Sequence, residues 1–266
     1  MDSSFKGILY PARLPTFHRV ATPASVSNLV QWFWIPEWDI EPGRTSRQHL
    51  ISYPASNLVV QTTNVVFSGP TTRAAHRDLT GRGWAVGALL LPAAVPFFTE
   101  NPASLRDTEA ALPLAELHLS VSAAMNASDG DNASDGGARR ERAVDAFVAW
   151  LASLGPAPSE EALLANRLME VVSGPDVSVI EEVGERLAVS PRTLQRVAKK
   201  YIGLSPSVLI RRRRLQDAAE LVRSDPGVDL AGIAAELGYA DHAHLTNDFQ
   251  KHLGFTPSTY RRSFKA

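Results

Sequence analysis

Residues 183–191 read VGERLAVSP and residues 233–241 read IAAELGYAD, one pattern displaced by 50 positions. Farther on, Gly203-Leu-Ser-Pro206-Ser207 returns as Gly254-Phe-Thr-Pro257-Ser258, displaced by 51. Two copies are too few for a solenoid and indicate a duplicated module. Each copy opens with a short helical stretch, 179–188 and 230–237, carrying small residues where a neighbouring helix must cross closely. A tight turn follows, Ala188-Val189-Ser190 in the first copy and Gly238-Tyr239-Ala240 in the second. Ser190 and Asp241 then stand as N-caps of a second helix, with Pro191 at the first helical position of copy one. Short helix, three- to four-residue turn, second helix is the helix-turn-helix arrangement, whose second helix enters the DNA major groove.

The motif extends beyond the repeat. Val183…Leu187-Ala-Val-Ser190-Pro-Arg-Thr-Leu-Gln-Arg196 is followed by Gly203-Leu-Ser-Pro206 and Arg214-Leu-Gln-Asp-Ala218. Then come Ile233-Ala…Leu237-Gly-Tyr-Ala-Asp241…His244-Leu…Phe249 and Gly254-Phe-Thr-Pro-Ser-Thr-Tyr-Arg261. On these residues, positions 176–266 resemble the DNA-binding domain of AraC/XylS-type transcription regulators. The resemblance implies seven helices, two helix-turn-helix units and a long linking helix over 205–224 that includes the Arg211–Arg214 run. One subunit would read two DNA segments about one turn (~10 bp) apart. It also makes an activator the expected kind of regulator, with RNA polymerase as a further partner.

In the first recognition helix, Arg192, Thr193, Gln195 and Arg196 fall on the polar side, opposite Leu194 and Val197. Arginine pairs bidentately with guanine and glutamine with adenine. The resemblance places base contacts at Arg192, Gln195 and Arg196; the plain alternative is a solvated helix face. The matching positions of the second helix are His242, His244, Thr246 and Asn247. There an asparagine stands where the family often has arginine, and Asp248 adds a negative charge near the DNA backbone. A weaker contribution from this unit is expected, with His244 serving in packing or capping as readily as in binding. His242 and His244 are two apart on a helix and point apart, so no metal chelate is expected. Lys199, Lys200, Arg212, Lys251 and Arg261 are candidate phosphate contacts, which position without specifying sequence. Tyr201, Leu209, Leu221, Ile233, Leu237, Leu245, Phe249 and Tyr260 read as core.

Charge supports a basic back half. Residues 1–170 hold 13 Lys and Arg against 17 Asp and Glu, while residues 171–266 hold 14 against 11. Such an asymmetry points to nucleic acid as the partner of the basic part. The chain has 266 residues, enough for two domains, and 44% hydrophobic residues, enough for a core in each.

The front of the chain reads as short strands between Gly, Pro and Asn breaks: 29–35, 50–53, 58–61, 65–67 and 84–91. Residues 108–117 read as helical, 139–154 as an amphipathic helix, and 159–172 as another capped by Ser159. The near-repeat over 126–137 is small, polar and Gly-rich, and is expected to be a flexible loop. Its two Asn-Ala-Ser triplets match a glycosylation sequon, given no weight without a leader sequence. The expected fold is α+β multidomain: an N-terminal cupin-like β-barrel or sandwich with following helices, then an all-α domain with two helix-turn-helix units. The expected divisions are a β-rich sensor-like domain over 1–106, a helical linker or dimerisation region over 107–174 with the loop at 126–138, and the DNA-binding domain over 175–266. Tyr10-Pro11, Tyr53-Pro54, Asn57-Leu58-Val59 and Gly83…Gly87…Leu91-Pro92 are similar to the sensor-like domain of one group of these regulators, which implies the cupin-like fold.

Trp32, Trp34, Tyr53 and Trp84 are candidate effector-binding residues, because aromatic walls with a few polar groups suit small molecules; they serve equally as core. Glu37, Asp39 and Glu41 alternate along one segment and read as an acidic, solvated strand edge. His18, His49, His76 and His118 lack a metal-binding spacing. With no cysteine, thiol redox and thiolate-metal chemistry are excluded. No nucleotide-binding or hydrolase motif stands out, so neither an enzyme nor a cofactor is expected. No stretch suggests a signal peptide or a membrane span, so a cytoplasmic protein is expected. Expected partners are double-stranded DNA, a small-molecule effector and a second copy in a homodimer, with the helices at 141–154 and 160–173 forming the dimer contact or the coupling between domains. Two other readings stay open: a ligand-independent regulator whose front domain dimerises or contacts polymerase, and an enzyme with a DNA-binding tail.

Overall fold

The computed structural model describes residues 16–50, 54–73, 75–127, 136–174, 176–225 and 227–262. Among these residues eight strands come first: β1 (Thr16–Ala21), β2 (Val30–Asp39), β3 (Ser46–Leu50), β4 (Asn57–Gln61), β5 (Val65–Ser68), β6 (Ala75–Leu79), β7 (Arg82–Leu90) and β8 (Glu109–Leu112). Nine α-helices follow among the described residues: α1 (Ala115–Asn126), α2 (Gly137–Ala152), α3 (Glu160–Ser173), α4 (Ile180–Leu187), α5 (Pro191–Tyr201), α6 (Pro206–Ser224), α7 (Leu230–Glu236), α8 (His242–Leu253) and α9 (Pro257–Arg262).

The strands form a six-stranded antiparallel sheet in the order β1-β2-β7-β4-β5-β8, and a separate β3-β6 ribbon. β2 pairs with β7, β3 with β6 and β4 with β5, so the pairs nest inside one another. Nested antiparallel pairing is the jelly-roll pattern of cupins. Alternation along β2 sends Phe33 and Ile35 into the core and leaves Trp32 and Trp34 on the other face. The core face is covered by α1 and α2 through Leu117, Val121, Val144, Phe147 and Leu151. Phe33 meets Phe147 edge to face at 5.5 Å. The apolar stripe of α2, expected to serve a dimer or the coupling, is therefore spent on the sheet.

The segment 108–117 is not one helix. Residues Glu109–Leu112 form the edge strand β8 against β5, and α1 begins only after Pro113. Proline has no N–H and disfavours helix in the residue before it, so the strand stops and the helix starts around it. The loop expected at 126–138 is shorter at both ends, since Asn126 closes α1 and Gly137 opens α2; residues 128–135 lie outside the described residues. So does Tyr53, within the expected 50–53 strand.

A second core joins front to back. Ala55, Leu89 and Ala93 from the β region pack with Ala162, Leu168 and Met169 of α3 and with Leu194, Val197 and Tyr201 of α5. The Asn166 side chain accepts from Ala93 N–H and donates to the Asn28 carbonyl, each at 2.9 Å. Helix α3 packs on α4, α5 and α6; the described residues within 176–262 themselves hold six helices, α4 to α9, where the resemblance implies seven over 176–266. A third core, with Leu215, Ile233, Leu245, Phe249 and Tyr260, holds α7, α8 and α9 against the far half of α6.

Candidate nucleic-acid interface

The two helix-turn-helix units have the same turn. Val189 N–H reaches back to the Gly184 carbonyl at 3.0 Å, and Tyr239 N–H to that of Ala234 at 2.8 Å. The residue in the left-handed conformation is Ala188 (φ 53°) in one and Gly238 (φ 70°) in the other. Gly184 stays small because a Cβ would lie 2.9 Å from the Val189 carbonyl oxygen of its own turn. Each recognition helix is capped as its sequence predicts. Ser190 Oγ accepts from Thr193 N–H at 3.2 Å, and Asp241 Oδ1 from His244 N–H at 2.7 Å. At the start of α4, the Glu182 carboxylate accepts from Ser178 N–H at 2.6 Å and Val179 N–H at 3.3 Å, which holds it below the usual carboxylate pKa.

Helix α5 buries Leu194, Val197, Ala198 and Tyr201 and presents Arg192, Gln195, Arg196, Lys199 and Lys200 to solvent, with Thr193 half-buried. Helix α8 buries Leu245, Asp248, Phe249 and Leu253 and exposes His242, His244, Asn247 and Lys251, with Thr246 half-buried. His244 packs edge-on against the buried Tyr239 ring at 5.3 Å. Asp248 does not share the exposed face of His242, His244 and Asn247. It is buried 3.5 Å from Arg211 Nε and 4.0 Å from His252 Nε2, because its position on α8 falls beside Phe249 on the inner face.

The Arg211–Arg214 run binds protein. Arg213 pairs with Asp217 at 2.8 Å and donates to the Val177 carbonyl at 3.0 Å. Arg214 donates to Ser178 of the first unit (2.9 Å) and Gly238 of the second (3.2 Å). These side chains staple the two units to α6 and to each other. Arg212 is 1% exposed and does not serve as a phosphate contact. Arg261 is half-buried and donates to the Val228 carbonyl at 2.6 Å.

Glu161, in the first turn of α3, joins the polar face of α5 without any local signal in the sequence. Its carboxylate pairs with Arg196, with Lys200 Nζ at 2.5 Å and with the Tyr201 hydroxyl at 3.0 Å. The hydrogen bonds from Lys200 and Arg196 pull its pKa down to about 2, and the bonds that Lys200 makes with Glu161 and Tyr201 raise the Lys200 pKa. The partners lie 35 to 40 positions away, so no local spacing could reveal them. The front domain touches the second unit too: His252 Nδ1 donates to the Thr72 carbonyl at 3.0 Å. Burial holds the His252 pKa below its usual value.

In the front domain the four candidate aromatics separate. Trp84 lines a cavity of about 1040 Å³ with Trp38, Glu37, Arg139 and Arg140. Trp34 covers Gly87, its cross-strand partner, where a Cβ would lie 2.1 Å from the ring. Its indole N–H donates to Asn57 at 3.1 Å. Trp38 covers Gly83 in the same way. Trp32 lies under the Arg19 guanidinium, 3.9 Å from it. Glu37 is not a solvated edge charge: it faces α2, pairing with Arg139 and, at 2.8 Å, with Arg140. Among the described residues no cluster of three metal-ligating side chains occurs, and no helix is long and apolar enough to cross a membrane.

Residues 183–263 match the model of a helix-turn-helix domain family, and residues 18–110 that of a domain of unknown function, DUF6597. Over 83 residues the chain is 37% identical to the "HTH-type transcriptional activator RhaS" of Escherichia fergusonii, covering 31% of this chain and 29% of that one. Over 106 residues it is 38% identical to the "HTH-type transcriptional regulator RipA" of Corynebacterium glutamicum, covering 40% and 30%. The C-terminal third is an AraC/XylS-type domain. The C-terminal domain of AraT, a response regulator from Geobacillus stearothermophilus, is 33% identical over 36% of this chain and 78% of that one, with a TM-score of 0.32. The chain matches under a third of the length of RhaS and RipA, so these likenesses concern the AraC/XylS-type domain alone.

Proposed function

We propose that this protein is a sequence-specific DNA-binding transcription regulator. The observation that carries the reading is the pair of capped recognition helices, each exposing a polar face, held in one body by arginine staples from α6. Arg192, Gln195 and Arg196 read base edges, with Thr193 and Lys199 beside them on the backbone. The second helix reads through His242, Thr246 and Asn247, with His244 shared between packing and contact and Lys251 on a phosphate. If the protein activates, RNA polymerase is the further partner. The test is selection of bound duplexes from a random library. A motif of two blocks about one helical turn apart supports the reading; recovery of unrelated sequences refutes it.

The front domain serves as the sensor, taking a small-molecule effector in the cavity beside Trp84. The volume suits a metabolite-sized ligand, and the Glu37–Arg139–Arg140 cluster supplies polar groups that fix orientation. The shared core around α3, the Asn166 bridge and the His252–Thr72 bond give bound effector a route to both helix-turn-helix units. An effector acts only through a difference in affinity for two arrangements. A metabolite screen by thermal shift tests this: stabilisation that Trp84→Ala abolishes supports it, and a hit unaffected by Trp84→Ala moves the site elsewhere.

A further inference from the structure

On the reading of the chain as a sequence-specific DNA binder, we propose that Glu161 is a positioning residue for base recognition, bracing Arg196 from the helix behind it. Arg196 projects from α5 with its side chain 59% exposed, yet one of its terminal nitrogens is engaged by Glu161 Oε1. Guanidinium has five donors in a rigid fork, so donors remain for a guanine edge while the Glu161 contact fixes its orientation. The brace is itself fixed. Oε2 takes Lys200, one turn along the same helix, and the hydroxyl of the buried Tyr201. Ser159 caps α3 just ahead of it, accepting from Ala162 N–H at 3.3 Å.

Two consequences follow for recognition. An exposed arginine samples many rotamers, and ordering it costs free energy on binding; a braced one has lost that freedom beforehand. The carboxylate charge also disfavours a phosphate oxygen at the same place, so Arg196 is steered to an uncharged base edge. Lys200, a candidate phosphate contact on sequence grounds, belongs to the brace. The backbone contact falls to exposed Lys199.

The experiment compares the full-length protein, Glu161→Gln and Arg196→Ala in selection from a random duplex library, followed by binding to the selected duplex and its single-base variants. Glutamine keeps the size of the side chain and its bond from Tyr201 while removing the charge; thermal melts verify that each variant is folded, and Tyr201→Phe gives a second, milder loosening of the brace. Arg196→Ala is expected to erase preference at one guanine position, a loss of about 5- to 150-fold. Glu161→Gln is expected to reduce preference at that same position at least about fivefold, leave the other positions unchanged, and have no added effect in the Arg196→Ala background. A Glu161→Gln motif identical to the unmodified one overturns the proposal, as does a uniform change at every position, which would make Glu161 a general electrostatic brake. A motif that Arg196→Ala leaves intact also overturns it, with the regulator reading standing. If the unmodified protein selects no motif, the regulator reading itself fails.

Discussion

Gly203 and Gly254 occupy equivalent positions in the duplicated module and have nearly the same backbone, φ 78° and 81°. Their surroundings differ. A Cβ on Gly254 meets nothing within 4 Å, whereas one on Gly203 lies 2.6 Å from the Ala103 nitrogen and 2.7 Å from the Pro102 carbonyl carbon. Alanine in the left-handed region costs about 1–2 kcal/mol, offset by about 0.4–1 kcal/mol from the stiffer unfolded chain. Gly254→Ala should therefore destabilise by roughly 1 kcal/mol. Gly203→Ala bears the same cost plus overlap with backbone that can move only by parting the front domain from α5, a further ~1–3 kcal/mol. Urea unfolding of both variants beside the unmodified protein measures the difference. A gap of at least about 1 kcal/mol is expected, and Gly203→Ala should also open the front–back junction to protease. Equal effects of the two substitutions would refute the docking of residues 102–103 on the first helix-turn-helix unit.

Ala188 holds the left-handed position that Gly238 fills in the second unit, so Ala188→Gly should stabilise by about 0.5–1 kcal/mol in a thermal melt; destabilisation would contradict the turn geometry. Glu161 has a folded pKa of about 2 against an ordinary 4.5, so its contribution is present above pH 4.5 and is lost as pH falls toward 2. The stability gap between unmodified protein and Glu161→Gln should be on the order of 1 kcal/mol near neutrality, given its exposed partners, and close by pH 2; a constant gap would argue against the ion pairs. Lys251→Ala should weaken binding to all duplexes alike and lower the salt slope by about one; a loss confined to one sequence would make Lys251 a base contact.

The sequence made the back third legible because its structure is local. Caps at Ser190 and Asp241, turns at Ala188 and Gly238, and apolar spacing all act within a few residues. The duplication displayed each signal twice. The front domain was legible only where strands are apolar. β1, β3 and β6 escaped notice and β8 read as helix because TFHRVA, SRQHL, AHRDL and EAAL carry little hydrophobic alternation; long-range pairing makes them strands. Trp34 looked like a pocket or core residue, but its partner is Gly87 across the strand, as Gly83 is that of Trp38, set by a register that no local pattern encodes. The same holds for the site. Exposure of Arg192, Gln195 and Arg196 followed from helical periodicity, whereas the inward turn of Asp248, the stapling by Arg213 and Arg214, and the Glu161 brace depend on packing between distant elements.

The central claim is that this chain tells one DNA sequence from another. Fluorescence anisotropy of the full protein on duplex from upstream of its own coding sequence and on a scrambled duplex, across a range of salt, addresses it most directly. The account predicts upstream binding at least ~1,000-fold tighter than scrambled at physiological salt. Equal affinities that fall together with rising salt would contradict it.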